Sequence, residues 1–100
     1  MPTERHEDVA ARLTADMSPE GRAQVDVFKY AFSVGAQLAT RRRELGLTQA
    51  EVSARSGVQQ ADVSRIERGV VVPSISTVTR LAGALDARWA LVDAASPPAA

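Results

Sequence analysis

The sequence predicts an all-α protein of about five helices, with a helical extension before the main bundle and a short β-strand near the C-terminal end. Apolar residues make up 45% of the 100 residues, but only 4% are aromatic and alanine is frequent. This composition favours helices that pack through small side chains. Glycines 46, 57 and 69 each follow a stretch with helical apolar spacing, as helix-ending glycines do. A chain of this length supports one modest core.

The N-terminal third is expected to contain a tail and a helical extension. Residues 1–17 are charged and short of apolar spacing, so a flexible tail is expected there. Residues 18–33 form the extension, which opens on Ser-Pro-Glu, a strong helix start with proline at the first helical position. The helical pattern then continues to residue 45. It fits either one long helix or two helices broken near residues 33–35.

An apolar stripe on this extension lies outside the face that the bundle core needs. Val25, Phe28 and Phe32 follow one another at spacings of three and four, beside the core face of Val34 and Leu38. Two interpretations stay open. Either the extension folds back and buries the rings in its own core, or the stripe is an interface for a second chain.

The middle of the chain predicts two short helices joined by a tight turn. Thr48 is a good N-cap, and Glu51 three residues on completes a capping box. This first short helix should end at Gly57, because glycine adopts the left-handed conformation at little cost. The second should open at residue 59 or 60 and end near Gly69. Together they make a helix-turn-helix.

The outward face of the second short helix has the chemistry of a DNA reader. Gln60, Ser64, Arg65 and Arg68 all point away from its apolar face. Glutamine can bind adenine with two hydrogen bonds and arginine can bind guanine in the same way. The alternative is an ordinary solvated helix face, which the flanking turn and glycines disfavour.

At these residues the chain resembles the Cro and phage-repressor family, also called XRE-like. The resemblance rests on T-Q-A-E at 48–51, G-V at 57–58, S-R-I-E-R-G at 64–69, and the residues Pro-Ser and Leu-Ala that follow, and it covers residues 34–86. It implies a lambda-repressor-like bundle, placed at residues 34–93, whose third helix lies in the major groove of operator DNA, usually as a homodimer. The DNA-binding residues it implies are Thr48, Gln49, Gln59, Gln60, Ala61, Ser64, Arg65 and Arg68.

The resemblance also assigns roles to individual residues. Gln49 falls where a glutamine bonds a phosphate and braces the recognition helix, and Gln60 falls at the main base-reading position. Ala61 is shorter than the residue of some relatives, so contact with a thymine methyl is expected. Arg42 and Glu67 fall where the family often has a buried ion pair.

Charge supports DNA binding only when it is divided by position. The formal net charge is zero, but residues 34–69 carry six arginines against four acids. That excess includes three consecutive arginines, which point about 100° apart on a helix. If Arg42 points inward, Arg41 and Arg43 point outward and are either phosphate contacts or plain solvated side chains. Arg68 matches a phosphate contact in the resembling family.

The last third predicts a fourth helix and an ambiguous end. Ser74 is a good N-cap before an apolar-periodic segment. Residues 88–93 fit a fifth helix or a β-strand, and their partial alternation favours the strand. A lone strand needs a partner, which a two-fold-related chain could supply, so Trp89 and Leu91 are interface candidates. Residues 94–100 are expected to be a disordered tail.

Composition argues against several classes of protein. There is no cysteine and one histidine, and no phosphate-binding glycine loop or metal-ligand motif, so we expect no enzyme, metal site or cofactor. No segment resembles a leader or a membrane span, so a cytoplasmic protein is expected.

Size and architecture are similar to those of the HigA-type antitoxins of bacterial toxin–antitoxin pairs. That resemblance implies a partner, a basic mRNA-cleaving toxin met by the acidic extension, and repression of the protein's own operon. The alternative is a free-standing phage-type or XRE-like regulator without a toxin. An adaptor that has lost DNA binding is disfavoured by the polar outward face of the recognition helix.

Overall fold

The computed structural model describes residues 17–95, which contain four α-helices. They are α1 (Pro19–Glu44), α2 (Gln49–Ser56), α3 (Gln60–Glu67) and α4 (Ile75–Ala84). The predicted all-α class is confirmed. Almost all of the predicted N-terminal tail, and residues 96–100 of the C-terminal one, lie outside the described range. No helix between residues 17 and 95 combines the length and apolarity needed to cross a membrane.

The segment 88–93 forms neither a fifth helix nor a strand, so that expectation is wrong for the described chain. All six of its residues are exposed. A strand needs a neighbour for its backbone hydrogen bonds, and the described residues give this segment no strand partner. Partial alternation of apolar residues was therefore not enough to define an element.

Helix α1 is one continuous helix of 26 residues, about 39 Å long at 1.5 Å per residue. The Ser18 hydroxyl accepts a hydrogen bond from the Gly21 amide at 3.1 Å, and Pro19 is the first helical residue, as predicted. The alternative of a break near residues 33–35 is wrong. A Cβ at Gly35 would overlap the backbone carbonyl oxygen of Ile66, so this glycine allows α1 and α3 to approach closely.

The helix-turn-helix begins and ends at the residues that the sequence marks. Glu51 donates its amide to the Thr48 hydroxyl and accepts from the Thr48 amide through its carboxylate, both at 3.1 Å, which completes the capping box. Helix α2 stops at Gly57, whose φ of 75° is left-handed. Gln59 is the N-cap of α3 but makes no side-chain cap hydrogen bond.

The core lies where α2, α3 and α4 meet beneath the second half of α1. Its most buried side chains are Val52, Val63, Leu81 and Leu85, each no more than 2% exposed, with Ile66 beside them. Helix α3 packs on α1 and α2, and α2 also packs on α4. The outward face of α3 therefore stays at the surface while its inner face packs on α1 and α2.

The first half of α1 extends beyond this core. Ala31 is buried, but Phe28, Tyr30 and Phe32 are 50%, 72% and 65% exposed. The interpretation that the extension folds back to bury its rings is therefore wrong. A continuous helix cannot fold back on itself, so only its inward positions reach the bundle.

Candidate nucleic-acid interface

The candidate interface is the outward face of α3. Val63 and Ile66 hold the inner face of this helix in the core, at 1% and 3% exposed. The opposite face is left to solvent along the whole helix. Its exposed residues are Gln60, Ala61, Arg65 and Arg68, with Ser64 half-buried among them.

The turn between α2 and α3 is held by side-chain hydrogen bonds. The Ser53 hydroxyl donates to the Val58 carbonyl at 2.6 Å, and the Val58 amide donates to the Ser56 hydroxyl at 3.1 Å. The Val58 side chain is buried as the apolar plug of the turn. These contacts fix the angle at which α3 is presented.

The end of α3 is tied to α1 by an ion pair. Arg42 donates from Nε and Nη2 to the two carboxylate oxygens of Glu67 at 2.7 and 2.9 Å, and from Nη1 to the Leu47 carbonyl at 2.9 Å. The side chains are 14% and 8% exposed. Such two-bond arginine–carboxylate pairs are among the stronger polar contacts in proteins.

The pair also changes the ionisation of its members. Burial by itself raises the pKa of Glu67, but the hydrogen bonds from Arg42 and Gln49, with the charges of Arg42 and Arg43, outweigh it and leave this pKa below its ordinary value. The hydrogen bond to Glu67 raises the pKa of Arg42. Both groups are therefore charged at neutral pH.

Gln49 joins the same network from the start of α2. Its Nε2 donates to Glu67 Oε1 at 3.1 Å, so the side chain spans from one helix of the motif to the end of the other. An amide group has two N–H donors, and this contact uses one. The second makes no hydrogen bond to another described residue.

Two arginines on the outward face have different partners. Arg65 Nη1 lies 2.9 Å from Asp62 Oδ1, in a pair whose side chains are about half exposed. Arg68 Nε donates to the backbone carbonyl of Ser64 at 3.4 Å, so this side chain lies along its own helix. Sequence reasoning missed Asp62, although its spacing of three from Arg65 was a local signal for a pair.

The neighbouring arginines of α1 also differ. Arg41 donates from Nε to the Leu85 carbonyl at 3.1 Å and lies 3.5 Å from the Glu44 carboxylate. It therefore closes the end of α4 as well as being a candidate for phosphate binding. Arg43 is exposed at the end of α1.

The predicted interface residues do not form one surface. One flank of α1 carries the stripe of Val25, Phe28 and Phe32, and here Phe32 lies against Gly69 at the end of α3. On the second flank an apolar groove runs between α1, α4 and Trp89, which is 51% exposed. Leu91 is 97% exposed and lies outside this groove. The groove is lined by Val27, Tyr30, Val72, Ile75 and Trp89, among others.

Comparison with known protein sequences gives the following likenesses. Residues 33–95 match the family described as a helix-turn-helix domain. An uncharacterized HTH-type transcriptional regulator of Sinorhizobium fredii is 52% identical over 52 residues, which are 52% of this chain and 68% of that relative. Antitoxin HigA1 of Mycobacterium tuberculosis is 39% identical over 84 residues, which are 84% of this chain and 55% of that relative. The chain thus spans little more than half the length of this second relative.

A solved structure is similar over nearly the whole chain. A chain of a toxin–antitoxin module from Streptococcus pneumoniae has a TM-score of 0.63 and 27% sequence identity. The superposition covers 93% of this chain and 96% of that one. The likeness therefore includes more than the region that matches the domain family.

Proposed function

This chain belongs to the helix-turn-helix domain family, and we propose that it is a transcriptional repressor that binds operator DNA and serves as the antitoxin of a toxin–antitoxin pair. The observation that carries the DNA-binding part is the fixed, outward presentation of α3. Buried apolar residues hold its inner face, and the Arg42–Glu67 pair holds its end. The exposed side chains of such a helix enter the major groove.

Base reading is assigned to a few side chains of α3. Gln60 is the first residue of α3 and binds adenine, while Ala61 contacts a thymine methyl. Ser64 and Arg65 complete the base-reading set. The phosphate contacts are assigned to the following residues around this helix: Thr48, Gln49, Gln59, Arg68, Arg41 and Arg43.

The antitoxin part rests on the extension and on the relatives. The match to HigA1 covers 84 residues of the chain, more than the 63 residues, 33–95, that match the domain family. Residues 1–33 carry four basic residues against six acidic ones, an excess of two negative charges that suits a basic toxin. The exposed stripe of Phe28 and Phe32 supplies apolar anchors for that partner.

Homodimerisation is proposed through the other flank of α1. Operators with two-fold symmetry are read by two-fold protein dimers. The groove beside Trp89 is apolar and open, and a second copy would cover it. This leaves the phenylalanine stripe for the toxin, so the two partners occupy different surfaces.

A free-standing regulator is the second candidate. It is favoured by the higher identity, 52%, of a relative named only as an HTH-type transcriptional regulator. In both candidates the protein acts in the cytoplasm by binding and not by catalysis. Only the antitoxin requires a second protein on the extension.

Co-expression of the full chain with the product of its neighbouring gene tests the antitoxin proposal. We expect the two proteins to co-purify, and we expect Phe28→Glu to abolish the complex while operator binding persists. Ser33→Glu, at an exposed position of the same helix that belongs to neither the stripe nor the groove, is the matched control. Intact operator binding without any complex would leave the free-standing regulator.

Selection of duplexes from a random DNA library tests base reading. Gln60→Ala should cost about 1–3 kcal/mol of discrimination without unfolding the protein. Gln24→Ala, an exposed glutamine of the extension, is the control. An unchanged sequence preference in the Gln60 variant would remove this residue from the base-reading role.

A further inference from the structure

The recognition helix carries an acid that the proposed function does not use. Helix α3 has two carboxylates, and that of Glu67 is neutralised by Arg42 beneath the surface. Asp62 is about half exposed beside the face that would enter the groove. A carboxylate in that place is repelled by the phosphates of DNA, so an acid there weakens binding unless it has a specific task.

The Asp62 carboxylate has a specific partner on the same helix. The Asp62 carboxylate accepts a hydrogen bond from Nη1 of Arg65 at 2.9 Å, one turn further along the helix. The guanidinium has five N–H donors, and this contact uses one of them. The remaining donors still include the adjacent pair that binds O6 and N7 of guanine.

Arg68, the C-cap residue of α3, is an arginine without a carboxylate partner in the described part of the chain and serves as a comparison. Its Nε donates to a carbonyl of its own helix at a long 3.4 Å, and the side chain has no carboxylate beside it among the described residues. It can turn to a phosphate without breaking an ion pair. Arg65 can turn away from its present direction only by breaking its pair with Asp62.

We infer that Asp62 is a positioning residue that holds Arg65 toward base edges and makes the protein select a guanine at the operator position Arg65 reaches. The carboxylate keeps phosphates away from Arg65 and fixes one edge of the guanidinium. Restricting a side chain before binding favours the one contact that fits it. This inference rests on the DNA binding proposed above.

A purely structural role for Asp62 has to be separated from this one. The carboxylate lies in the first turn of α3, and Gln59 before it gives no side-chain cap. A negative charge at that end stabilises a helix through its dipole whether or not DNA is present. Thermal stability would report that role, whereas base preference would not.

A double-mutant cycle scored by base preference tests the inference. The full chain, Asp62→Ala, Asp62→Asn, Arg65→Ala and the double Ala variant each select duplexes from a random library. We expect Asp62→Ala and Asp62→Asn to lower the preference for guanine at one operator position by about three- to tenfold, while affinity for random duplex rises because a repelling charge is lost. Thermal unfolding of the same variants reports the dipole contribution of Asp62 separately.

The cycle can either support or overturn the inference. Adding Asp62→Ala to the Arg65→Ala variant should change the base preference no further, since the acid acts through the arginine. An equal change in both backgrounds, or unchanged guanine preference in the single Asp62 variants, would overturn the inference while the proposed DNA binding stands. A full chain that enriches no sequence at all would instead overturn the proposed function, and this inference with it.

Discussion

The Glu67 carboxylate, at the last residue of α3, accepts hydrogen bonds from both Nε and Nη2 of Arg42 at 2.7 and 2.9 Å. One part-buried carboxylate thereby joins the helix that would read DNA to α1. Gln49 adds a third contact from the start of α2. The direction of α3 thus depends on a few polar atoms as well as on apolar packing.

Removing that carboxylate should be costly. We expect Glu67→Ala to lower the free energy of unfolding by about 3–5 kcal/mol, because the Arg42 side chain, only 14% exposed, loses its carboxylate partner. Glu44→Ala is the control, since its pair with Arg41 is exposed and worth only about 0–1 kcal/mol. Urea denaturation of both variants measures the difference, and equally small effects would show that the buried pair contributes little.

Acid should weaken the protein through the same residue. The pKa of Glu67 is lower in the folded chain than in the unfolded one, where a glutamate has a pKa of about 4.3. Its contribution is therefore fully present above that value and is lost as the pH falls through the lowered folded pKa. We expect the free energy of unfolding to decrease once the pH falls below about 4.5. The decrease should be smaller in the Glu67→Gln variant. Parallel pH profiles of the two proteins would contradict this account.

Two glycines inside helices should respond to alanine in opposite directions. Gly35→Ala should destabilise the fold by about 1–3 kcal/mol, because the new methyl group meets the backbone carbonyl of Ile66. Gly83→Ala should stabilise it by about 0.5–1 kcal/mol, since nothing lies within 4 Å and alanine favours a helix. Thermal unfolding of the pair gives the comparison. A stabilising Gly35→Ala would mean that α1 and α3 are further apart than the structure has them.

The groove beside Trp89 should govern self-association. We expect Trp89→Ala to raise the dissociation constant of the proposed homodimer by at least about tenfold, because large aromatic side chains dominate interfaces. Sedimentation over a range of concentrations measures this, and Phe32→Ser on the opposite flank is the control. A dimer weakened by Phe32→Ser but not by Trp89→Ala would place the interface on the other side of α1.

Fluorescence offers a second measurement of the same association. Trp89 is the sole tryptophan of the chain and is 51% exposed. Dimerisation through the groove should shift its emission to shorter wavelength as the concentration rises.

Local signals made much of the fold predictable. The capping box of Thr48 and Glu51 and the left-handed Gly57 involve residues within a few positions of one another, so the sequence alone locates α2. The Arg42–Glu67 pairing came from resemblance and not from spacing, because the two residues are 25 positions apart.

Contacts between distant segments were not predictable in the same way. Arg41 meets the Leu85 carbonyl 44 positions away, and nothing near either residue indicates it. The sequence left open a helix break near residues 33–35, whereas the observed role of Gly35 depends on where α3 crosses α1. Residues 88–93 failed as a strand because β-structure needs a neighbouring strand.

The unbroken course of α1 has a consequence for the arrangement of a regulatory complex on DNA. The helix runs from Pro19 through Arg42 without a hinge, so the extension cannot swivel independently of α3. A protein bound to the extension would therefore lie in one fixed direction around the axis of the duplex. Because B-DNA turns once in about 10.5 base pairs, moving an operator by about five base pairs would carry that protein to the opposite side of the promoter.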